Sequence, residues 1–182
     1  MLNFRASLGV SRAMAVGITA VLLTGTAAVA QHFPAFQQAV AEGVSGNPGL
    51  SEFYRTAKYD DLWTGADDAA RRSAFLTALT RAPEHGLPVQ RYDVPGLMDA
   101  FDTVQSERDR GKLEARMSQT FVQFATDLHS GVLDPSRVDA AIVRVLPRPD
   151  VAQLMTGLAT APAAAFIRNL APSAPEYARL FR

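Results

Sequence analysis

Apolar residues recur at helical spacing over most of this chain, and strict alternation of period two is nearly absent. The clearest case spans residues 106–130. There Leu113, Met117, Phe121, Phe124 and Leu128 follow at intervals of four, four, three and four, which sets them on one helix face. Glu107 and Asp109 stand in the first turn and His129 in the last, the charge order that complements the helix dipole. Gly131 supplies the stop.

Shorter helices are expected on both sides. The first covers residues 35–41, followed by a loop at 42–47. Asn47-Pro48 opens the next, with Asn as N-cap and Pro at the first helical position. That helix carries Leu50, Phe53 and Tyr54 and ends before Tyr59. Asp67 is expected to cap a third helix with Phe75, Leu76, Leu79 and Ala82 on its apolar face, stopped by Pro83. Asp93 opens a short helix through Leu97, Met98 and Phe101, and Leu133-Asp134-Pro135 starts another. Residues 142–146 are the one strand-like run, leading into an extended Pro147-Arg148-Pro149 connector. Helices over 150–160 and 162–170 follow, and a last one begins at Glu176. With no internal repeat and no linker, the expected fold is all-α: a single domain of several short helices packed around one long helix.

The N-terminus reads as a targeting segment. Arg5 and Arg12 precede and flank a mostly apolar run at 13–23, about half the ~20 residues a membrane-spanning helix needs. Ala28-Val29-Ala30 offers small residues at both positions of a signal-peptidase site, so residues 1–30 are expected to be removed after Ala30. The domain is then 31–182, periplasmic or otherwise in the cell envelope, with no membrane attachment after cleavage. A chain of about 150 residues can bury about 68–70% of the surface its unfolded form exposes. It needs no disulfide, and the sequence has no cysteine. That absence excludes a thiol nucleophile and thiolate metal sites. The 18 acidic and 18 basic residues balance in the full chain. Loss of Arg5 and Arg12 leaves a small negative charge with no basic run, which argues against nucleic acid as a partner.

Candidate chemistry is sparse. Asp127, His129 and Ser130 carry the letters of a hydrolase triad, but neighbours one and two apart on a helix point away from each other. His129 is expected to end its helix, His85 to sit in a turn, and His32 to lie near the mature terminus. No histidine spacing matches a metal motif, so no catalytic residue, metal or cofactor is predicted. Clustered aromatics offer one binding possibility. Tyr54, Tyr59 and Trp63, beside Arg55, are candidate glycan contacts. The competing expectation, favoured for aromatics at helical spacing, is that Trp63 anchors a loop onto the core.

Four segments in order resemble the scaffold domain of periplasmic L,D-transpeptidases. They are Phe53-Tyr54-Arg55 with Tyr59 and Leu62-Trp63; Ala82-Pro83-Glu84-His85-Gly86-Leu87-Pro88 with Tyr92-Asp93; the run from Phe121 to Gly131 with Asp134-Pro135; and Leu170-Ala171-Pro172 through Tyr177 and Leu180. Together they cover residues 50–181. Asp61 stands where the family often has Pro. The resemblance implies an envelope protein associated with peptidoglycan cross-linking, partnered by peptidoglycan or by a separate transpeptidase catalytic domain. In that family the nucleophile is a cysteine in a Ser-x-Gly-Cys-type motif outside the scaffold, and no position here matches it. The chain stops at Arg182 soon after its last helix begins, so the expectation is a truncated or split chain. The alternative is a free-standing, non-enzymatic module that binds peptidoglycan or an envelope protein. A third, an unrelated helical hydrolase built on His85 or His129, is the remotest.

Overall fold

The long helix is the axis on which the other elements are placed. A computed structural model describes residues 34–132 and 148–172. Seven α-helices occur among the described residues, and none of those residues is in a strand. They are α1 (Ala35–Val44), α2 (Pro48–Thr56), α3 (Ala69–Thr80), α4 (Val94–Thr103), α5 (Glu107–Ser130), α6 (Val151–Thr160) and α7 (Ala163–Arg168). The all-α expectation holds. The starts at Leu133 and Glu176, the run at 142–146 and the targeting segment fall outside the described residues.

Side-chain caps start four of the helices. Asn47 accepts from the N–H of Leu50 at 3.2 Å, Asp93 from Gly96 at 3.3 Å, Ser106 from Asp109 at 3.1 Å and Asp150 from Gln153 at 3.1 Å. Asp67 does not cap α3. Residues Ala66–Asp68 form a 3-10 turn instead, and Asp68 folds back to accept from Gly65 N–H at 3.1 Å. Two further 3-10 turns, Ala82–His85 and Val89–Tyr92, join α3 to α4. Gly86 closes the first of them at φ +69°, a conformation that favours glycine.

Helix α1 is longer than expected, because Gly43 continues it rather than breaking it. Its backbone lies against α5, and a side chain at Gly43 would meet the Cβ of Ala115. Gly111 does the same from the other side, facing the backbone carbonyl of Phe36 and the Cβ of Ala39. Two glycines therefore let α1 lie close along α5. The core between them and the remaining helices holds Phe36, Val40, Val44, Leu113, Met117 and Phe121, all buried. Helix α5 buries its predicted stripe in full, with Leu113, Met117, Phe121, Phe124 and Leu128 each at most 6% exposed.

Candidate functional site

Helix α5 also buries three polar residues that the apolar stripe concealed: Glu114, Ser118 and Asp127. Glu114 and Ser118, one turn apart, face the irregular segment that carries Trp63. The Glu114 carboxylate is completely buried and accepts five hydrogen bonds. Oε1 takes the Tyr54 hydroxyl at 2.7 Å and the Leu62 N–H at 2.8 Å. Oε2 takes the N–H groups of Trp63 at 3.1 Å and Thr64 at 3.0 Å, and the Thr64 hydroxyl at 2.9 Å. Three successive backbone N–H groups thus converge on one carboxylate, the arrangement of an anion nest filled from within the protein. Ser118 Oγ accepts the Trp63 indole N–H at 2.8 Å and shares a 2.6 Å bond with the Tyr54 hydroxyl.

The carbonyls of the same segment are satisfied by α3. Arg71 donates to Leu62 O at 2.7 Å, and Arg72 donates to Trp63 O at 2.5 Å and Gly65 O at 3.2 Å. Arg71 also pairs with Asp68. A buried stretch that is neither helix nor strand must find partners for every peptide group, and here side chains supply them on both faces. Burial holds the Glu114 carboxyl above its ordinary pKa, and the donors offset this only in part. Burial, reinforced by the Glu114 charge, likewise pushes the Tyr54 phenol well up.

Aromatic packing completes the anchor. The Trp63 ring lies 5.1 Å from Phe75 and 5.7 Å from Phe121, centroid to centroid. Tyr54 and Trp63 are both 0% exposed, so neither presents a ring face to a glycan. Their polar ends are committed to Glu114 and Ser118. Tyr59 alone of the three candidates is partly exposed, at a turn where Lys58 and Tyr59 both take positive φ.

The second buried carboxylate ties the Val89–Tyr92 turn to α5. Asp127 Oδ2 accepts from Arg91 Nε at 2.7 Å and from the Tyr92 hydroxyl at 3.0 Å. Burial first, and Asp127 second, raise the Tyr92 pKa above its ordinary value. The triad letters therefore do not assemble. Asp127 is turned to the turn before α4, His129 is exposed, and Ser130 donates back to Thr126 O at 2.8 Å. His32 lies outside the described residues.

His85 stands on the wall of a cleft of about 410 Å³ between α3, α5 and α7. Its floor is apolar, with Phe124 and Leu128 from α5, Ala74 and Ala78 from α3, and Ile167 from α7. Arg81, Glu84 and Arg168 stand at its margin. Arg81 and Glu84 form a two-pronged ion pair at 2.9 and 2.8 Å. Arg168 is exposed and makes no ion pair with a described residue. A smaller cleft of about 330 Å³ between α4 and α5 differs in that its cations are engaged, Lys112 with Asp109 at 3.5 Å and Arg116 with Asp93 at 2.6 Å. Among the described residues no cluster of His, Asp and Glu could hold a metal ion, and no helix is long and apolar enough to cross a membrane.

Among the described residues, the buried polar side chains of α5 hold the adjoining irregular segments onto a helical body. The family model for the Scaffold domain matches residues 48–182, and the chain belongs to that family. No curated protein and no solved structure matches the chain significantly.

Proposed function

We propose that this chain supplies the non-catalytic scaffold of an exported L,D-transpeptidase-type protein that takes part in peptidoglycan cross-linking and cell-wall organisation. One observation carries the reading. The motif residues that resemble that family's scaffold are the ones paired across the fold: Tyr54 and Trp63 through Glu114 and Ser118, and Tyr92 through Asp127. They shape a body rather than a reactive centre, which is the role a scaffold plays beside a separate cysteine nucleophile. The targeting segment at 1–30 accounts for delivery to the envelope. The partners are peptidoglycan and a transpeptidase catalytic domain.

The test uses the full chain expressed with its own N-terminus. Periplasmic protein beginning at Gln31 is expected to form no cross-linked product from tetrapeptide-bearing muropeptides. It is expected to co-purify with an L,D-transpeptidase catalytic domain expressed in the same cells. Cross-linked products above a heat-killed control would remove the non-catalytic assignment, and a full-length cytoplasmic species would remove the envelope assignment.

A further inference from the structure

We infer that α1 acts as a conformational clamp on the segment that carries Trp63, working through Arg110, so that displacement of α1 releases residues 58–64. The segment starts under strain. Lys58 and Tyr59 take φ of +54° and +59°, a left-handed conformation that costs free energy in residues with a side chain and persists only where neighbouring contacts hold it. Residues 62–64 are neither helix nor strand and depend on side-chain partners from α3 and α5. A segment of this kind opens when its ties are weakened.

Arg110 joins α1 to those ties. Its guanidinium lies over the Phe36 ring of α1, 3.9 Å from the ring centroid. Glu107, one turn back on α5, holds the same group, with Nη2 at 2.8 Å from Oε2. Nη1 then reaches across to Asp61 Oδ2 at 2.7 Å and to Thr64 Oγ1 at 3.3 Å. The Thr64 hydroxyl gives its one proton to Glu114 Oε2 at 2.9 Å, so it meets Arg110 with a lone pair. Phe36, Arg110, Thr64 and Glu114 thus form a continuous row from α1 to the carboxylate that collects three successive N–H groups. Gln37, beside Phe36, adds a separate tie by donating to the Lys58 carbonyl at 3.4 Å. Helix α1 therefore grips the segment at both ends, at Lys58 and at Thr64. With the Phe36 ring withdrawn, Arg110 loses the surface that fixes its plane, and Asp61 and Thr64 lose a fixed partner.

Amide hydrogen exchange of the purified full chain, read residue by residue, tests the clamp. Phe36→Leu keeps apolar bulk against α5 and removes the ring face. It should speed exchange at Leu62, Trp63 and Thr64 about three- to tenfold, the worth of one cation–π contact. That increase is counted beyond any change at Phe121 and Phe124, whose amides inside α5 report global stability. Arg110→Met keeps an apolar stem without donors. In that background the segment should already exchange faster, and Phe36→Leu should add nothing further there. Coupling is mutual, so Asp61→Ala, a change at an exposed position outside α1 and the core, should speed exchange at Val40 and Ala41 of α1. Equal acceleration at the segment and at Phe121 and Phe124, an unchanged segment in Phe36→Leu, or the same increment with Arg110→Met present overturns the clamp. If Phe36→Leu does not fold, Asp61→Ala decides: faster exchange in α1 upholds the clamp, and unchanged exchange overturns it.

Discussion

Replacing Glu114 by alanine probes whether one buried carboxylate holds the tryptophan segment in place. Truncation strands the N–H groups of Leu62 and Trp63, both buried, each at a cost of about 1–3 kcal/mol. Thr64 is only partly buried, so its N–H can reach water. Removing the charge also removes its desolvation cost, which offsets part of the loss. The net expectation is about 2–4 kcal/mol, or a fall in Tm of roughly 6–15 °C for a domain of this size. Glu114→Gln keeps the shape but turns an amide N–H₂ toward a donor. With that nitrogen in the Oε1 position, Tyr54 can reverse its hydroxyl while the Leu62 N–H cannot reverse, so about 1–3 kcal/mol is lost.

The protein has one tryptophan, and it sits in the segment being tested. Urea unfolding followed by its fluorescence therefore reports both global stability and the local environment. Acidity adds a second readout. The raised Glu114 pKa means that the folded state holds a proton more readily than the unfolded one. Its contribution to stability is fully present below the unfolded-state value and is lost as pH rises through the folded-state value. Glu114→Gln has no proton to lose and should remove that slope. A Glu114→Ala protein within about 0.5 kcal/mol of wild type, with unshifted fluorescence, would refute the reasoning, because surface substitutions are of that size.

Two other substitutions probe the same architecture. Trp63→Ala is expected to cost about 3–5 kcal/mol by thermal melt, since a fully buried ring against Phe75 and Phe121 is removed; an unshifted melt would mean that the ring is not a core anchor. Gly111→Ala places a methyl group against the Phe36 carbonyl and should cost about 1–3 kcal/mol despite alanine's better helix propensity. Gly46→Ala, with open space around the glycine, serves as the control and should change little by urea midpoint.

Much of this fold was legible because it is written locally. The helix starts at Asn47 and Asp93 and the stripe on α5 each depend on residues within a few turns of one another. Gly43 falls in the expected loop at 42–47 yet lies inside α1, because a loop glycine and a glycine that admits a neighbouring helix look alike until the neighbour is known. Glu114 was invisible for a similar reason. A charged residue on a helix reads as solvent-facing, and its acceptors' partners at 62–64 lie about fifty positions earlier. The cleft was only partly foreshadowed. His85 was noted as a turn residue, but nothing local connects it to Arg168 on α7.

The placement of α1 bears on where this module can be cut. The family match begins at residue 48, yet Phe36, Ala39, Val40 and Val44 are buried and precede it. They cover the flank of α5 on which Gly111 and Ala115 stand, a flank with little side-chain bulk of its own. Starting the chain at Pro48 would bare that channel to water and forgo about 1.5–3 kcal/mol for each large apolar side chain no longer buried. The segment that the family model matches and the packed helical body are thus different lengths, and excision has to respect the longer one.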